Sequence, residues 1–381
     1  MDIISSYDEA EKAGKQTALA TVVHVQGSSY RSPGARMLIT EEGRLTGAIS
    51  GGCLEGDALR KALLVMHDQK SKLVTYDTND EDDASLGVGL GCNGIIQILI
   101  EPIDPSRADN PIQILKRITG RRENAVVGTL FSLEDRWGIQ PGTCFLYDRN
   151  GVAVENISNS ALQKVLQTDV MSAFESKTSI TKNYTSEKNN TTAFIEFLRP
   201  PVFLVIVGAG NDAMPLVKMA ELMGWVVSVI DGRPEYANTG RFASGCQVVV
   251  ARPEKALSKI EVDDQTVYVL MTHNYNYDLA MLKQLIHQNT SYIGVLGPKK
   301  KMDRMIAELE DEGMKLTREQ SSKIYGPVGL DIGAETPEEI ALAIVSEIKA
   351  VMSGRAGEFL RNNEATIHSR ASQEILKENV E

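Results

Sequence analysis

The sequence predicts two α/β units in tandem: an N-terminal α+β domain over residues 1–198 and a C-terminal Rossmann-like, doubly wound parallel sheet over residues 199–381. Three observations predict this. The length of 381 residues suits two domains or three. Arg199-Pro200-Pro201 breaks the chain near its middle, since two prolines continue neither a helix nor a central strand. Beyond that break, strands and helices alternate one for one, as a parallel sheet requires.

In chain order, Ser6–Lys15 reads as a short helix and Thr17–Val25 as a β-rich run. The loop Gly27-Ser-Ser-Tyr-Arg-Ser-Pro-Gly34 follows, then a hairpin of Arg36–Thr40 and Arg44–Ile49 around Glu42-Gly43. Gly51-Gly52-Cys53 leads into an amphipathic helix, Leu54–Met66, and Lys72–Tyr76 is a strand. Thr78–Gly94 is a long acidic, glycine-rich loop, and loops of that length are usually functional or disordered. Ile95–Glu101 is a strand. Within the first domain, residues 104–198 form a sub-segment: one helix in 104–124, two strands in Ala125–Tyr147, a helix Ser158–Phe174, a polar stretch Thr178–Thr192 and a strand Ala193–Leu198.

In the second half the strands are Val202–Val207, Val226–Ile230, Gln247–Val250, Thr266–Met271 and Ser291–Leu296. Helices fall near 211–223, 276–288, 299–312 and 336–352. The last has Thr336 as N-cap, Pro337 in the first turn and Glu339 to complete a capping box.

Composition excludes several function classes. Lys plus Arg is 40 against 51 Asp plus Glu, a net charge of −11, with apolar residues at 42%. An acidic chain whose nearest approach to a basic cluster is Lys299-Lys300-Lys301 is a poor nucleic-acid binder. The longest aliphatic-aromatic stretch, Val202–Val207, is far too short for a bilayer, so no membrane span is expected. The acidic, polar MDIISSYDEAEK start is not a signal peptide, and Cys53, Cys92, Cys144 and Cys246 form no CxxC or regular ladder. A cytoplasmic protein with reduced thiols is the expectation.

The motif Gly208-Ala-Gly210-Asn-Asp-Ala213 is a dinucleotide fingerprint in its proper place, after an apolar strand and before a helix. Gly208 permits the tight turn and Gly210 the close approach of a pyrophosphate. Asp231, ending the next strand 21 residues beyond Gly210, is placed to accept from a ribose 2′-OH. Asp212 puts a negative charge where the pyrophosphate would lie. A second match, Gly89-Leu-Gly91-Cys92-Asn-Gly94, precedes a strand rather than a helix, so its glycines serve another purpose.

Cys53 and Cys92 each sit in a glycine-rich loop, and Cys53 lies just before a helix N-terminus. Each reads either as an inert small hydrophobe or as a thiolate ligand. A zinc pair lacks His or Cys at ligand spacing, and Cys144 and Cys246 sit inside strands. Arg31 and Arg36, beside the Gly34 turn with Ser28 and Ser29, read as solvated hairpin arginines or as an anion clamp. The run Asp80–Asp83 lacks calcium-loop spacing. Ala48-Ile-Ser50-Gly-Gly52 departs from a nucleophile elbow at its first position. His273, at a strand's carboxyl end in Met271–Asp278, reads as a ligand contact or as a helix cap. Gly326-Pro-Val-Gly-Leu-Asp331-Ile-Gly333 holds a similar place before the last helix.

Taken together, these segments resemble the XdhC/CoxI family of molybdenum-enzyme maturation factors. The matching stretches are Gly27–Ala35, Ser50–Glu55, Gly89–Gly94, Leu198–Pro201, Gly208–Ala213, Thr272–Asp278, Gly294–Lys299 and Gly326–Pro337. They span nearly the whole chain and are thinnest over 103–190. Asn211-Asp212 resembles the CoxI-type branch, since many relatives carry His after the second glycine. The resemblance implies an XdhC-type N-terminal domain and a chaperone that binds molybdenum cofactor (molybdopterin). It also implies help in sulfuration and insertion into a molybdenum hydroxylase such as xanthine dehydrogenase, with a cysteine desulfurase as sulfur source and a homodimer as the working state. The family's cysteine motifs fall on Cys53 and Cys92, which would face the molybdenum. Gly27, Ser28, Ser29, Arg31, Gly34, Arg36, Gly51, Gly52, Glu55, Gly91 and Gly94 would surround the pterin. Gly208, Gly210, Asp231, His273, Asp278, Gly326 and Asp331 would line a Rossmann site for NAD or another nucleotide. The competing class is an NAD-dependent oxidoreductase, but the chain has no Tyr-x-x-x-Lys pair or metal trio to polarise a substrate. A non-catalytic chaperone is therefore the expectation.

Overall fold

The computed structural model describes residues 3–27, 29–77, 94–157, 159–186, 190–242, 245–362 and 375–379. Ser28, Gly91, Cys92 and all of the loop Thr78–Gly94 except Gly94 lie outside the described residues. Two compact units divide at Pro200/Pro201, and the C-terminal segment from residue 365 groups with the first.

The first unit holds two sheets. One contains β1 (Thr17–Gly27), β2 (Arg36–Thr40), β3 (Leu45–Gly47), β4 (Lys72–Asp77) and β5 (Gly94–Pro102), in the order β3-β2-β1-β5-β4. Its neighbours are antiparallel. The first nine residues of β1 are all buried, which marks a central strand covered on both faces. Alternation explains the two coverings: Ala18, Ala20 and Val22 pack against helix α2 (Glu55–Asp68) through Ala58, Ala62 and Val65. Val23 and Leu99 face the other way, onto Phe131 and Phe194 of the second sheet.

That second sheet runs β17-β9-β10-β6-β7-β8, from β6 (Ala125–Phe131), β7 (Gly142–Asp148), β8 (Gly151–Glu155), β9 (Ile180–Thr185), β10 (Asn190–Leu198) and β17 (Ile375–Asn379). Three of its strands differ from the sequence reading. The polar stretch Thr178–Thr192 contains β9, which pairs with β10 and is anchored by Tyr184 and Lys182 on Asp169 of the helix Ser160–Ser176. β8 pairs with β7 across a short turn. The expected C-terminal domain over 199–381 ends as a Rossmann sheet with its last helix, because Ile375–Asn379 lies parallel to β9 in the first unit's sheet.

The second unit contains β11 (Phe203–Val207), β12 (Val226–Asp231), β13 (Gln247–Val250), β14 (Thr266–Leu270), β15 (Ile293–Val295) and β16 (Ile324–Tyr325). Its order, β13-β12-β11-β14-β15-β16, is all parallel and equals 3-2-1-4-5-6 counted from β11. Helices cover both faces, and the order reverses between β11 and β14. The helix Pro337–Met352 starts on the expected capping box, with Thr336 and Glu339 exchanging bonds. Among the described residues, no helix is long and apolar enough to cross a membrane.

Candidate functional site

The first unit brings its Gly27–Gly34 and Ser50–Glu55 motifs together at one end of its first sheet. Gly27 pairs with Gly94, so β5 begins where the Gly27 loop leaves β1. The Tyr30 ring covers Gly51, whose added Cβ would stand 3.4 Å from it. Arg31 Nε donates to the Ser50 carbonyl at 3.4 Å. The loops 27–34 and 50–55 therefore meet.

The turn before α2 is organised by two side chains. Ser50, 4% exposed, accepts from the backbone N–H of Gly52 and of Leu54, both at 3.1 Å, and donates to Glu55. Glu55 accepts from Ser50 N at 3.0 Å and from Leu54 N at 3.1 Å. Leu54, the N-cap, has no side-chain acceptor of its own, and its backbone amide is taken by Ser50 and Glu55 together. Glu55 thus shapes the loop, and its charge suits the positive end of the helix. The Ser50 hydroxyl is the element least visible in the sequence, where it reads only as an imperfect elbow.

Cys53 is a free, half-buried thiol 3.5 Å from Ser50 Oγ, packed against the core under α2. Gly52 beside it has φ of +112° with nothing within 4 Å of an added Cβ, so backbone angle alone demands glycine there. Among the described residues no group of three or more His, Cys, Asp or Glu is placed to hold a metal.

The two arginines of the anion reading separate. Arg36, with a side chain 12% exposed, donates to the Gly34 carbonyl at 2.9 Å and forms a two-pronged pair with Glu196 of β10. Gly34 has φ of +93°, and an added Cβ would collide with Glu196 Oε1, so glycine is obligatory. Arg36 is a buried brace between the two sheets. Arg31 is exposed, and its guanidinium fork has no carboxylate partner among the described residues.

The second site lies at the carboxyl ends of β11, β12 and β14. Gly208 has φ of +123°, and an added Cβ would collide with the Met271 carbonyl. Gly210 is open, its nearest neighbour being His273 Cδ2 at 3.9 Å. His273 has φ of +57°, is exposed, and sets Nε2 3.2 Å from Asp212. It does not cap the next helix: Asn274 does, accepting from Tyr277 N at 3.1 Å.

Asp231 is 2% exposed and fully engaged. Oδ2 accepts from Ala209 N at 2.8 Å and Arg233 Nη2 at 2.8 Å. Oδ1 accepts from Arg233 N and Arg233 Nε, each at 3.0 Å. Burial opposes its ionisation, but Arg233 and the two backbone donors more than offset that and hold the carboxyl below its ordinary range. Arg241 lies along the glycine loop, donating to the Ala209 carbonyl at 2.6 Å and to Asn211 Oδ1 at 2.8 Å. The sequence motifs point to neither arginine, although Arg233 stands only two residues after Asp231.

Asp278 is wholly buried and braces strand ends, bonded to Thr272 Oγ1 at 2.6 Å and Lys301 Nζ at 2.7 Å. Gly326 packs on Met302, and Asp331 is exposed. The contacts of the 326–330 segment are with Met302, Gly294, Ala343 and Glu347 rather than with the glycine loop.

Comparison with known proteins agrees with these two units. Residues 10–77 match the XdhC and CoxI family, and residues 204–348 match the XdhC Rossmann domain. A Bacillus subtilis (strain 168) protein, named as a probable subunit of xanthine dehydrogenase, is 32% identical over 88% of this chain and 92% of its own. The Escherichia coli (strain K12) molybdenum cofactor insertion chaperone PaoD is 24% identical over 90% of this chain and 86% of its own. A solved structure, described as a xanthine dehydrogenase from Bacillus halodurans, superposes with a TM-score of 0.74 at 28% identity, covering 97% of this chain and 99% of that one.

Proposed function

The chain belongs to the XdhC and CoxI family, and from that premise we propose that it is a maturation factor that holds molybdenum cofactor and assists its insertion into a molybdenum hydroxylase of the xanthine dehydrogenase type. The observation that carries this is similarity over almost the full length to a cofactor insertion chaperone and to a protein named for xanthine dehydrogenase.

The first unit's loop cluster suits such a cargo. Molybdopterin is a bulky anion with a terminal phosphate and a metal held by sulfur. Arg31 offers an exposed fork to the phosphate, and the bare Gly51-Gly52 backbone admits a large ring. Cys53 and Cys92 offer soft thiolates for the metal end. The Ser50–Glu55 bonds fix the backbone that presents Cys53. The cargo is the sulfurated cofactor, with sulfur supplied by a cysteine desulfurase, and the working state is a homodimer. The second unit holds NAD or another nucleotide at Gly208 and Gly210.

The test is anaerobic purification with cofactor, measurement of bound pterin, and transfer to a cofactor-free hydroxylase. Wild type is expected to carry pterin and to activate the hydroxylase, and Cys53→Ala and Cys92→Ala to carry less. A chain that retains no pterin and leaves hydroxylase activation unchanged would remove the reading. Light scattering checks the dimer.

A further inference from the structure

The Rossmann fingerprint normally implies a ribose read by a strand-end carboxylate, which accepts from the 2′- and 3′-hydroxyls. Asp231 occupies that position but has nothing left to offer. A carboxylate has about four lone-pair sites, and four donors already fill them: Ala209 N, Arg233 N, Arg233 Nε and Arg233 Nη2. Two of those bonds come from one guanidinium in fork geometry, so a sugar hydroxyl competes against a charge-assisted pair.

The group that faces outward is Arg233 itself. Its side chain is 43% exposed, and its pair with Asp231 uses only Nε and Nη2. An arginine carries five N–H donors, so Nη1 and the second Nη2 hydrogen remain. Tyr236 lies against one face of the guanidinium at 4.1 Å, which fixes its plane. Arg241 adds a second positive charge at the same strand end, 5.5 Å from that ring, while most of its donors hold the glycine loop and the Tyr236 carbonyl. Asp231 therefore orients Arg233 instead of reading the ligand.

Resting on the reading that this unit holds a nucleotide, we infer that its ligand carries a phosphate monoester on the adenosine ribose, as a 2′-phosphorylated dinucleotide does, and that Arg233 is the specificity-determining residue. The phosphate meets the free edge of Arg233, and the carboxylate behind it stays paired.

The probes are adenosine 2′,5′-bisphosphate against 5′-AMP, and NADP against NAD, titrated calorimetrically into the full chain. The phosphorylated member of each pair is expected to bind at least about tenfold tighter, in keeping with a lost bidentate contact. Arg233→Ala removes that preference and also frees Asp231, so 5′-AMP and NAD should bind it more tightly than wild type. Arg233→Lys keeps the charge without the fork and should fall between; it serves if the alanine variant does not fold. Equal or tighter binding of NAD and 5′-AMP by wild type overturns the inference but leaves a nucleotide site. Binding of none of the four probes overturns both the inference and the nucleotide reading. Pterin retention by the same wild-type preparation reports on the maturation reading separately.

Discussion

Replacing Glu196 by alanine strips the counter-ion from a buried guanidinium. The two side chains are 12% and 9% exposed, and both carboxylate oxygens are engaged by Arg36. Breaking such a pair from one side costs about 3–5 kcal/mol, because the orphaned charge remains desolvated. Two features favour the lower end: the Gly34 carbonyl still accepts from Arg36, and the Glu101 carboxyl acts on Arg36 through space. The expected loss is therefore about 3 kcal/mol. The double variant Arg36→Met/Glu196→Met removes both charges, and apolar replacement of a buried pair is often neutral, so it should return to within about 1 kcal/mol of wild type. Since the chain has two units, a global melt mixes two transitions. Hydrogen exchange of the β1 and β10 amides reads the first unit alone. A single variant that loses less than about 1 kcal/mol in those amides, or a double variant as unstable as the single, would refute the brace.

The two fingerprint glycines should part company: Gly208→Ala should destabilise the second unit by more than about 3 kcal/mol, from positive φ and collision with Met271, while Gly210→Ala melts like wild type yet loses nucleotide in calorimetry. Burial raises the Glu101 carboxyl despite its two bonds from Thr143, so its favourable contribution is whole below the unfolded value of about 4.3 and is lost as pH rises through the folded value. Glu101→Gln should remove the fall in stability between those two values, as read by thermal melts across pH. Ser50→Ala orphans the Gly52 amide, leaves the Leu54 amide to Glu55 alone and releases Cys53, so peptide-mapped alkylation of Cys53 should quicken in a chain that still melts within about 2 kcal/mol of wild type.

Local chemistry was legible and distant pairing was not. The Thr336–Glu339 capping box announces its helix within four residues, and the strand–helix alternation with Gly208 is enough for a doubly wound parallel sheet, though not for its short edge strand Ile324–Tyr325. The strands β9 and β17 carry no comparable local signal. Ile180 and Tyr184 are sparse apolar points in a polar run, and Ile375–Asn379 pairs with a strand almost two hundred residues away. Strand propensity depends on what the strand packs against, which the local sequence does not contain. At the sites, the same divide applies: the meeting of the Gly27 and Gly51 loops, and the partner of Arg36, are products of the fold. Arg233 is the exception, since Asp231-Gly232-Arg233 places a cation within side-chain reach of the carboxylate and was readable in principle.

Strand parity explains why Arg31 and Arg36, alike in sequence, have different fates. Met37 and Ile39 point into the core beneath α2. Alternation then sends Arg36 and Leu38 to the opposite face of β2, where the second sheet supplies Glu196. Arg31 precedes the strand, escapes the alternation and stays exposed. The same logic applies to Asp231 and Arg233. The last strand residue is fixed inward by the ladder with Val250, and the arginine two positions on, past the end of the ladder, is free to fold back over it and present its outer edge. In a chain of net charge −11 the cations available to an anionic ligand are thus selected by topology, with Arg31 and Arg233 the edges turned outward at the two sites.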